Sequence, residues 1–320
     1  MLSRTLAVRS LALMTLAAGS AFAAVDPVLL NLVMPDATVL TGIQVDQSLA
    51  SPFGQYVLAH MQLDDANFNQ FITATGFNPT KNLTQMLAAT GATGATPGQL
   101  LILGRGTFVP SQIASAAIAA GGSVTAYNGF NILTAPKQSS TNAIVFLDNS
   151  TTAIGTVAMV EGAIDRWNAK ATYSGNLAAP AQTVSASNSA WVATLTPLSE
   201  FLNGKLAGNL GDASQSNLFQ AVTGASGGIN FGASTITLSG DAITTSPQNA
   251  QALINVMQFL VGMLQSNTQN QGAANLAGAT QFSVNGSTAH ISLSIPEQQA
   301  EQLFMQNQSD ARAARKKAIQ

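Results

Sequence analysis

A serine between glycines, in the stretch Gly224-Ala225-Ser226-Gly227-Gly228, is the feature of this sequence whose residue types could do chemistry. The spacing matches G-x-S-x-G, in which a sharp turn from strand to helix exposes a nucleophilic serine in many hydrolases. Asp241 and His290 follow in the chain order that such a catalytic triad would need. One hypothesis is therefore a secreted serine hydrolase that uses Ser226, Asp241 and His290.

The residues after the motif favour strands instead of the helix that a nucleophile elbow requires. Residues 234–243 alternate between apolar and small polar side chains, which is typical of a half-buried strand. Without a helix beginning at Ser226 there is no helix dipole and no strained turn at the serine. A chain with 27 glycines and many serines also produces such a motif by chance. The preferred interpretation therefore assigns no catalytic residue.

The same strands predict a polar surface. Thr235, Thr237, Ser239 and Asp241 share one face of the first strand, and the strand at 289–295 places His290, Ser292 and Ser294 on one face. If this face is open to water, it suits a neutral polar ligand such as a glycan, or an envelope protein as partner. It carries no large aromatic platform. The alternative is that two sheets pack these faces against each other.

No cofactor and no metal are expected. The chain has no cysteine and two histidines, and no ligand spacing indicates a zinc site. No glycine-rich phosphate loop precedes a helix in the right way. Arg105, between Gly104 and Gly106, could bind an anion, but an intramolecular salt bridge is the favoured interpretation.

The composition indicates a globular protein with a weakly charged surface. Charged residues are 8% of the chain, against about 25% in ordinary domains, while 46% are hydrophobic. Acidic residues outnumber basic ones between Val25 and Met305. Nucleic-acid binding by this part is not expected, because a row of phosphates needs many lysines and arginines.

The N-terminus has the three parts of a secretory signal peptide. Arg4 and Arg9 precede a short apolar run, and Ala21-Phe22-Ala23 forms a cleavage site. We expect a bacterial-type signal peptide at 1–23, cleavage after Ala23, and a periplasmic or extracellular protein. The mature chain is expected to have no transmembrane segment, because its apolar runs are too short. Residues 306–320 form a basic tail.

Two stretches of the chain share one order of elements. Each has a strand, a helix entered through proline (Pro110 or Pro247), and a hairpin at Asn-Gly (Asn128-Gly129 or Asn285-Gly286). Each follows another strand and helix. This predicts an α+β fold of two related split-βαβ, ferredoxin-like units with antiparallel or mixed sheets. The first unit spans 25–171, a linker 172–188, and the second unit 189–305.

The sequence therefore predicts an exported, non-enzymatic binding or scaffold protein. The alternative is the secreted serine hydrolase described above.

Overall fold

The computed structural model describes residues 24–60, 66–91, 100–136, 142–196, 218, 220–265 and 276–305, and the structural statements below concern these residues. Within them, helices surround one antiparallel sheet of twelve strands. The predicted α+β class is confirmed. The residues expected to form the signal peptide and the basic tail lie outside the described residues.

The strands, in chain order, are β1 Val39–Gln44, β2 Leu83–Thr90, β3 Leu100–Gly106, β4 Ser123–Tyr127, β5 Phe130–Thr134, β6 Asn142–Phe146, β7 Thr151–Thr156, β8 Ala190–Thr194, β9 Val222–Phe231, β10 Thr235–Thr244, β11 Thr280–Asn285 and β12 Thr288–Pro296. Their order across the sheet is β11-β12-β10-β9-β8-β1-β2-β3-β7-β6-β5-β4. Because β1 pairs with β8, the two predicted units share one continuous sheet, and two sheets do not face each other.

The helices are α1 Pro27–Asn31, α2 Val45–Ala50, α3 Pro52–His60, α4 Ala66–Thr75, α5 Pro79–Asn82, α6 Pro110–Ala119, α7 Val157–Asn168, α8 Ala178–Ser185, α9 Pro247–Gln265 and α10, residues 297–305. None of the described helices is long and apolar enough to cross a bilayer.

Helix starts and hairpins follow from local sequence chemistry. The side chain of Asn78 accepts a hydrogen bond from the Thr80 backbone N–H, and Ser246 does the same for Asn249, as helix caps do. The first hairpin turns at Asn128-Gly129, where both residues have positive φ. The second turns at Gly286-Ser287, one residue later than predicted, because Asn285 is already paired with Thr288.

The sheet has two faces, called here the front and the back. Leu40, Leu87, Leu103 and Trp191 belong to the front face, where α1, α7 and α8 complete the largest core cluster. On the back face, α9 packs on β10, β11 and β12. The apolar residues of α10 and α3 also pack there, with Ile236 and Ile295. The back face of β5 and β6 lies under α6.

Both halves of the sheet are built outward from its centre. In each half, three successive strands (β1-β2-β3 or β8-β9-β10) take positions progressively further from the centre. A helix (α6 or α9) then crosses to the edge of the sheet, and the strands that follow occupy positions from the edge back toward the centre. Thus β10 and β11, joined by α9, run parallel with β12 between them. A ferredoxin-like order would place the first strand of the unit between its later strands. Here the first strand of the second unit, β8, does not lie between later strands of that unit, because it pairs with β1 on one side and β9 on the other.

The segment expected to be a linker, 172–188, contains α8 and belongs to the core. Leu177 and Ala181 are fully buried against the front face, together with Tyr173 and Val184. Its many alanines and serines predicted a spacer, but small side chains also allow a helix to approach a sheet closely.

Candidate functional site

The polar front face of β9, β10, β12 and β11 is the candidate site. Strand register aligns Ser226, Asp241, His290 and Ser283 in one row across four strands. Directly opposed residues on neighbouring strands point to the same face, so these four side chains stand side by side. The structure therefore brings together all three residues of the possible triad.

Their order within the row does not match a catalytic triad. Asp241 lies between Ser226 and His290, whereas a histidine base must contact the serine directly. Ser226 and His290 are two strand spacings apart, about 10 Å. Ser226 also lies inside β9 and begins no helix, so there is no nucleophile elbow. In this arrangement Ser226 is one hydroxyl of a polar surface.

Asp241 and His290 form an ion pair or hydrogen bond, depending on the protonation of the histidine. His290 Nδ1 lies 2.7 Å from Asp241 Oδ1, and the two side chains remain 38% and 43% exposed. The carboxylate holds the imidazole in a fixed orientation over the strands, and its Oδ2 makes no hydrogen bond that the described residues provide. The pair can therefore present both an acceptor and a ring nitrogen to a ligand.

Two further rows extend the polar face along the strands, toward the end of the sheet where β8 begins. Gly228, Ser239, Ser292 and Gln281 form one row, and Asn230, Thr237 and Ser294 form the other. The hydroxyls of Thr237 and Ser294 lie 3.1 Å apart. Side chains of both rows are exposed or half-buried to solvent. The face is therefore open in the described structure and is not an internal contact between two sheets.

The side chain of Asn188, just before β8, borders this face. Ser239 Oγ donates a hydrogen bond of 3.4 Å to Asn188 Oδ1, and Asn188 Nδ2 donates to the Val184 carbonyl. Gly228 makes room for this side chain, because a Cβ there would lie 2.5 Å from Asn188 Cγ. The last glycine of the G-x-S-x-G motif, Gly228, is therefore explained by packing against Asn188.

Sequence reasoning missed several members of the site. Asn188 fell in the expected linker. Strands were expected only after Gly228, so the glycine-rich part of β9 that contains Ser226 was not identified. Register could have placed Ser283 and Gln281, since β11 alternates regularly between apolar and polar residues. Asn230 Oδ1 is buried and has no hydrogen-bond partner in the described structure.

Aromatic side chains of these strands lie on the opposite face. Phe231 and Phe282 are on the back, where they pack in the clusters under α10 and α9. On the described front face of β9 to β12, the imidazole of His290 is the only aromatic ring. Recognition here would depend on hydrogen bonds and backbone contacts instead of stacking.

The other predicted sites have structural explanations. Arg105 Nε donates to Asp26 Oδ2 at 2.7 Å, and Arg105 also donates to Ser150 and Thr151. The favoured interpretation of Arg105, an intramolecular salt bridge, is confirmed. Within the described residues no three metal-ligating side chains of His, Asp or Glu lie together.

Comparison with known proteins identifies solved structures that share the fold of this chain. No protein-family model matches the chain, and no curated protein matches it. The chain resembles TP0453 in structure. Crystal form III of TP0453 has a TM-score of 0.53 at 10% identity, covering 88% of this chain and 98% of that chain. Crystal form IV has a TM-score of 0.50 at 10% identity, covering 87% and 96%. At this identity the likeness to TP0453 shows the fold alone.

Proposed function

We propose that this chain is an exported, non-enzymatic binding protein of the periplasm or the cell exterior. In this proposal, the polar front face of β9 to β12 recognises a neutral polar ligand, either a glycan or the polar surface of an envelope protein. The observation that carries the proposal is the open set of aligned hydroxyl, amide, carboxylate and imidazole groups. A polar face is not needed for folding, because the back face supplies the core of this half.

The chemistry of the face favours ligands rich in hydroxyl or amide groups. Ser226, Ser239, Ser292 and Thr237 can each donate and accept a hydrogen bond, and Asp241 adds a stronger acceptor. Few charges take part, so salt should weaken binding little. The absence of stacking aromatics favours a modest affinity for a single sugar and a larger contact with several residues of a partner.

An arginine at Ser292 tests the face directly. Ser292 lies in the middle of the polar rows, and a long cationic side chain would cover its neighbours and add an unpaired charge. Binding to an array of neutral oligosaccharides, and cross-linking to envelope proteins, should fall about tenfold or more in Ser292→Arg.

The matched control is Thr125→Arg, an exposed position on the same face at the far edge of the sheet, in β4. It should bind like the unmodified protein. Equal binding by Ser292→Arg and the unmodified protein would contradict the proposal, provided that both variants melt at similar temperatures.

Export is the second part of the proposal, and it is tested separately by determining the N-terminus of the native protein. Mass spectrometry of the native protein should find a mature N-terminus at Ala24, because the first residues have signal-peptide character. An intact N-terminus at Met1 in an envelope fraction would contradict cleavage.

We further propose that the scaffold arose from two related units, each a split-βαβ variant of the ferredoxin-like kind in which the first strand, β1 or β8, lies outside the parallel pair of strands. The equivalent positions of α6 and α9, both of which leave a third strand and cross to the sheet edge, support this proposal. Superposition of 39–134 on 190–296 tests it, with β1, β2 and β3 matched to β8, β9 and β10.

A further inference from the structure

A cavity of about 320 Å³ lies between α6 and the back face of the sheet. Its floor is formed by Leu133, Ile144 and Ile154, which strand register places in one row across β5, β6 and β7. Its roof is α6, through Ile113 and Ala117. The cavity is far from the polar front face and belongs to the other half of the sheet.

The space exists because α6 presents small side chains to the sheet. The small residues are Ala117 in α6 and Ala120 at its C-cap, which follow Ile113 at helical spacing along the lining of the cavity. A leucine or phenylalanine at Ala117 would fill much of the volume. The space is partly open to solvent, so a ligand could enter it from the side of the exposed Ala120.

The lining is chemically uniform. It contains no charged side chain and no aromatic ring, and its polar members are Thr134 and Asn142 at strand ends. The Thr134 hydroxyl already contacts Ser123 Oγ at 2.6 Å. A charged or strongly polar ligand would lose its hydration here without compensation. An aliphatic ligand would gain contacts that the lining side chains now lack.

We propose that this cavity binds a single aliphatic chain, such as that of a fatty alcohol. The volume falls in the range of small-molecule sites, about 300–1,000 Å³. The branched and small side chains of the lining suit a flexible hydrocarbon better than a flat ring system. The site is independent of the polar front face, and its test does not depend on the proposed function.

Decanol is the probe, and thermal unfolding of the full chain is the readout. A ligand that binds the folded state alone raises the melting temperature with concentration. We expect such a rise for the unmodified protein and for Ala119→Phe, a control on the exposed side of α6. In Ala117→Phe, which fills the cavity, the rise should disappear, and decanol affinity measured by calorimetry should fall about tenfold or more.

Two results would overturn the proposal. One is an unmodified protein whose melting temperature does not change with decanol. The other is a rise in Ala117→Phe that equals the rise in the Ala119→Phe control, which would place decanol elsewhere. If Ala117→Phe does not fold, Ala117→Leu removes part of the same volume and should weaken decanol binding in proportion.

Discussion

At the scale of residues, two ion pairs within the described part of the chain differ in their surroundings. Arg105 and Asp26 are only 26% and 25% exposed, and Arg105 also donates to Ser150 and to the buried Thr151. Asp26 additionally caps α1 by accepting from the Val28 backbone N–H. Asp241 and His290 are more exposed and make a single contact. The first pair holds the chain before α1 against β3, and the second stands on an open surface.

These surroundings predict unequal effects on stability. Arg105→Met should lower the free energy of unfolding by about 2 kcal/mol, because it leaves Asp26 and two hydroxyls without their donor. Asp241→Asn should change it by less than about 1 kcal/mol, as is usual for exposed pairs. Urea denaturation of both variants measures this, and a larger loss in Asp241→Asn would contradict the assignment of their roles.

Ser226 should not react as a nucleophile. It lies within a strand, and its neighbour in the row is the carboxylate of Asp241 instead of an imidazole. A fluorophosphonate probe should therefore leave the protein unmodified, since no base activates the hydroxyl. Labelling that is specific to Ser226, and absent in Ser226→Ala, would restore the hydrolase hypothesis.

At the scale of elements, glycines set how closely strands and side chains approach. Gly42, in the central strand β1, is paired with Trp191 in β8. A Cβ at Gly42 would lie 2.5 Å from the Trp191 ring, which is buried and cannot move away. For Gly262, near the end of α9, no described atom outside the backbone of its own helix lies within 4 Å of an added Cβ. The same residue type is thus required in one element and unfavourable in the other.

Alanine substitutions should therefore have opposite effects at these positions. Gly42→Ala is expected to cost about 1–3 kcal/mol by overpacking. Gly262→Ala is expected to stabilise the protein by about 0.5–1 kcal/mol, because glycine disfavours a helix. The melting temperatures of the two variants provide the measurement, and a loss of stability in Gly262→Ala would contradict the open environment of that position.

Elements were predictable where the cause is local. Asn78 and Ser246 indicate helix starts through their own side chains, and Asn128-Gly129 indicates its turn through positive φ. The glycine-rich part of β9, around Ser226, was missed because its glycines obscure the alternation of side chains. The alternation placed Asp241 and His290 on a polar sheet face, but the order of Ser226, Asp241 and His290 across the sheet required the register of three strands. Chain order does not determine the order of strands in a sheet.

At the scale of the whole molecule, pairing of β1 with β8 makes the two halves one structural unit. Val39 to Ile43 pair with Ala190 to Thr194 at the centre of the sheet, and α8 packs on β8 and β9 beside this junction. Front-face residues from both sides belong to one cluster. Unfolding of either half would expose this shared core, so the described residues should unfold together.

A reporter in one half tests this cooperativity. In the Trp191→Phe background, Trp167 in α7 is the only remaining tryptophan and reports on the first half. Adding Leu253→Ala in α9, where the side chain is 1% exposed, should cost about 2–5 kcal/mol. The fluorescence and circular dichroism transitions should both move to lower denaturant. An unchanged Trp167 transition would mean that the halves unfold separately.

The two halves differ most in the helix that follows their last strand. After β7, α7 packs on the front face, where Val160 and Ile164 join the main core. After β12, α10 packs on the back face, where Ala300 contacts the cluster of Ile236 and Ile295. Had α10 followed the path of α7, it would lie over His290 and Ser292. If the halves descend from one ancestral unit, the last helix of one half moved to the other face of the sheet. Without a helix over them, the front-face residues of β10 and β12 no longer had to be apolar core residues. Those positions could then change to serine, threonine, aspartate and histidine without loss of folding, and the proposed binding surface would be a by-product of the lost symmetry between the halves.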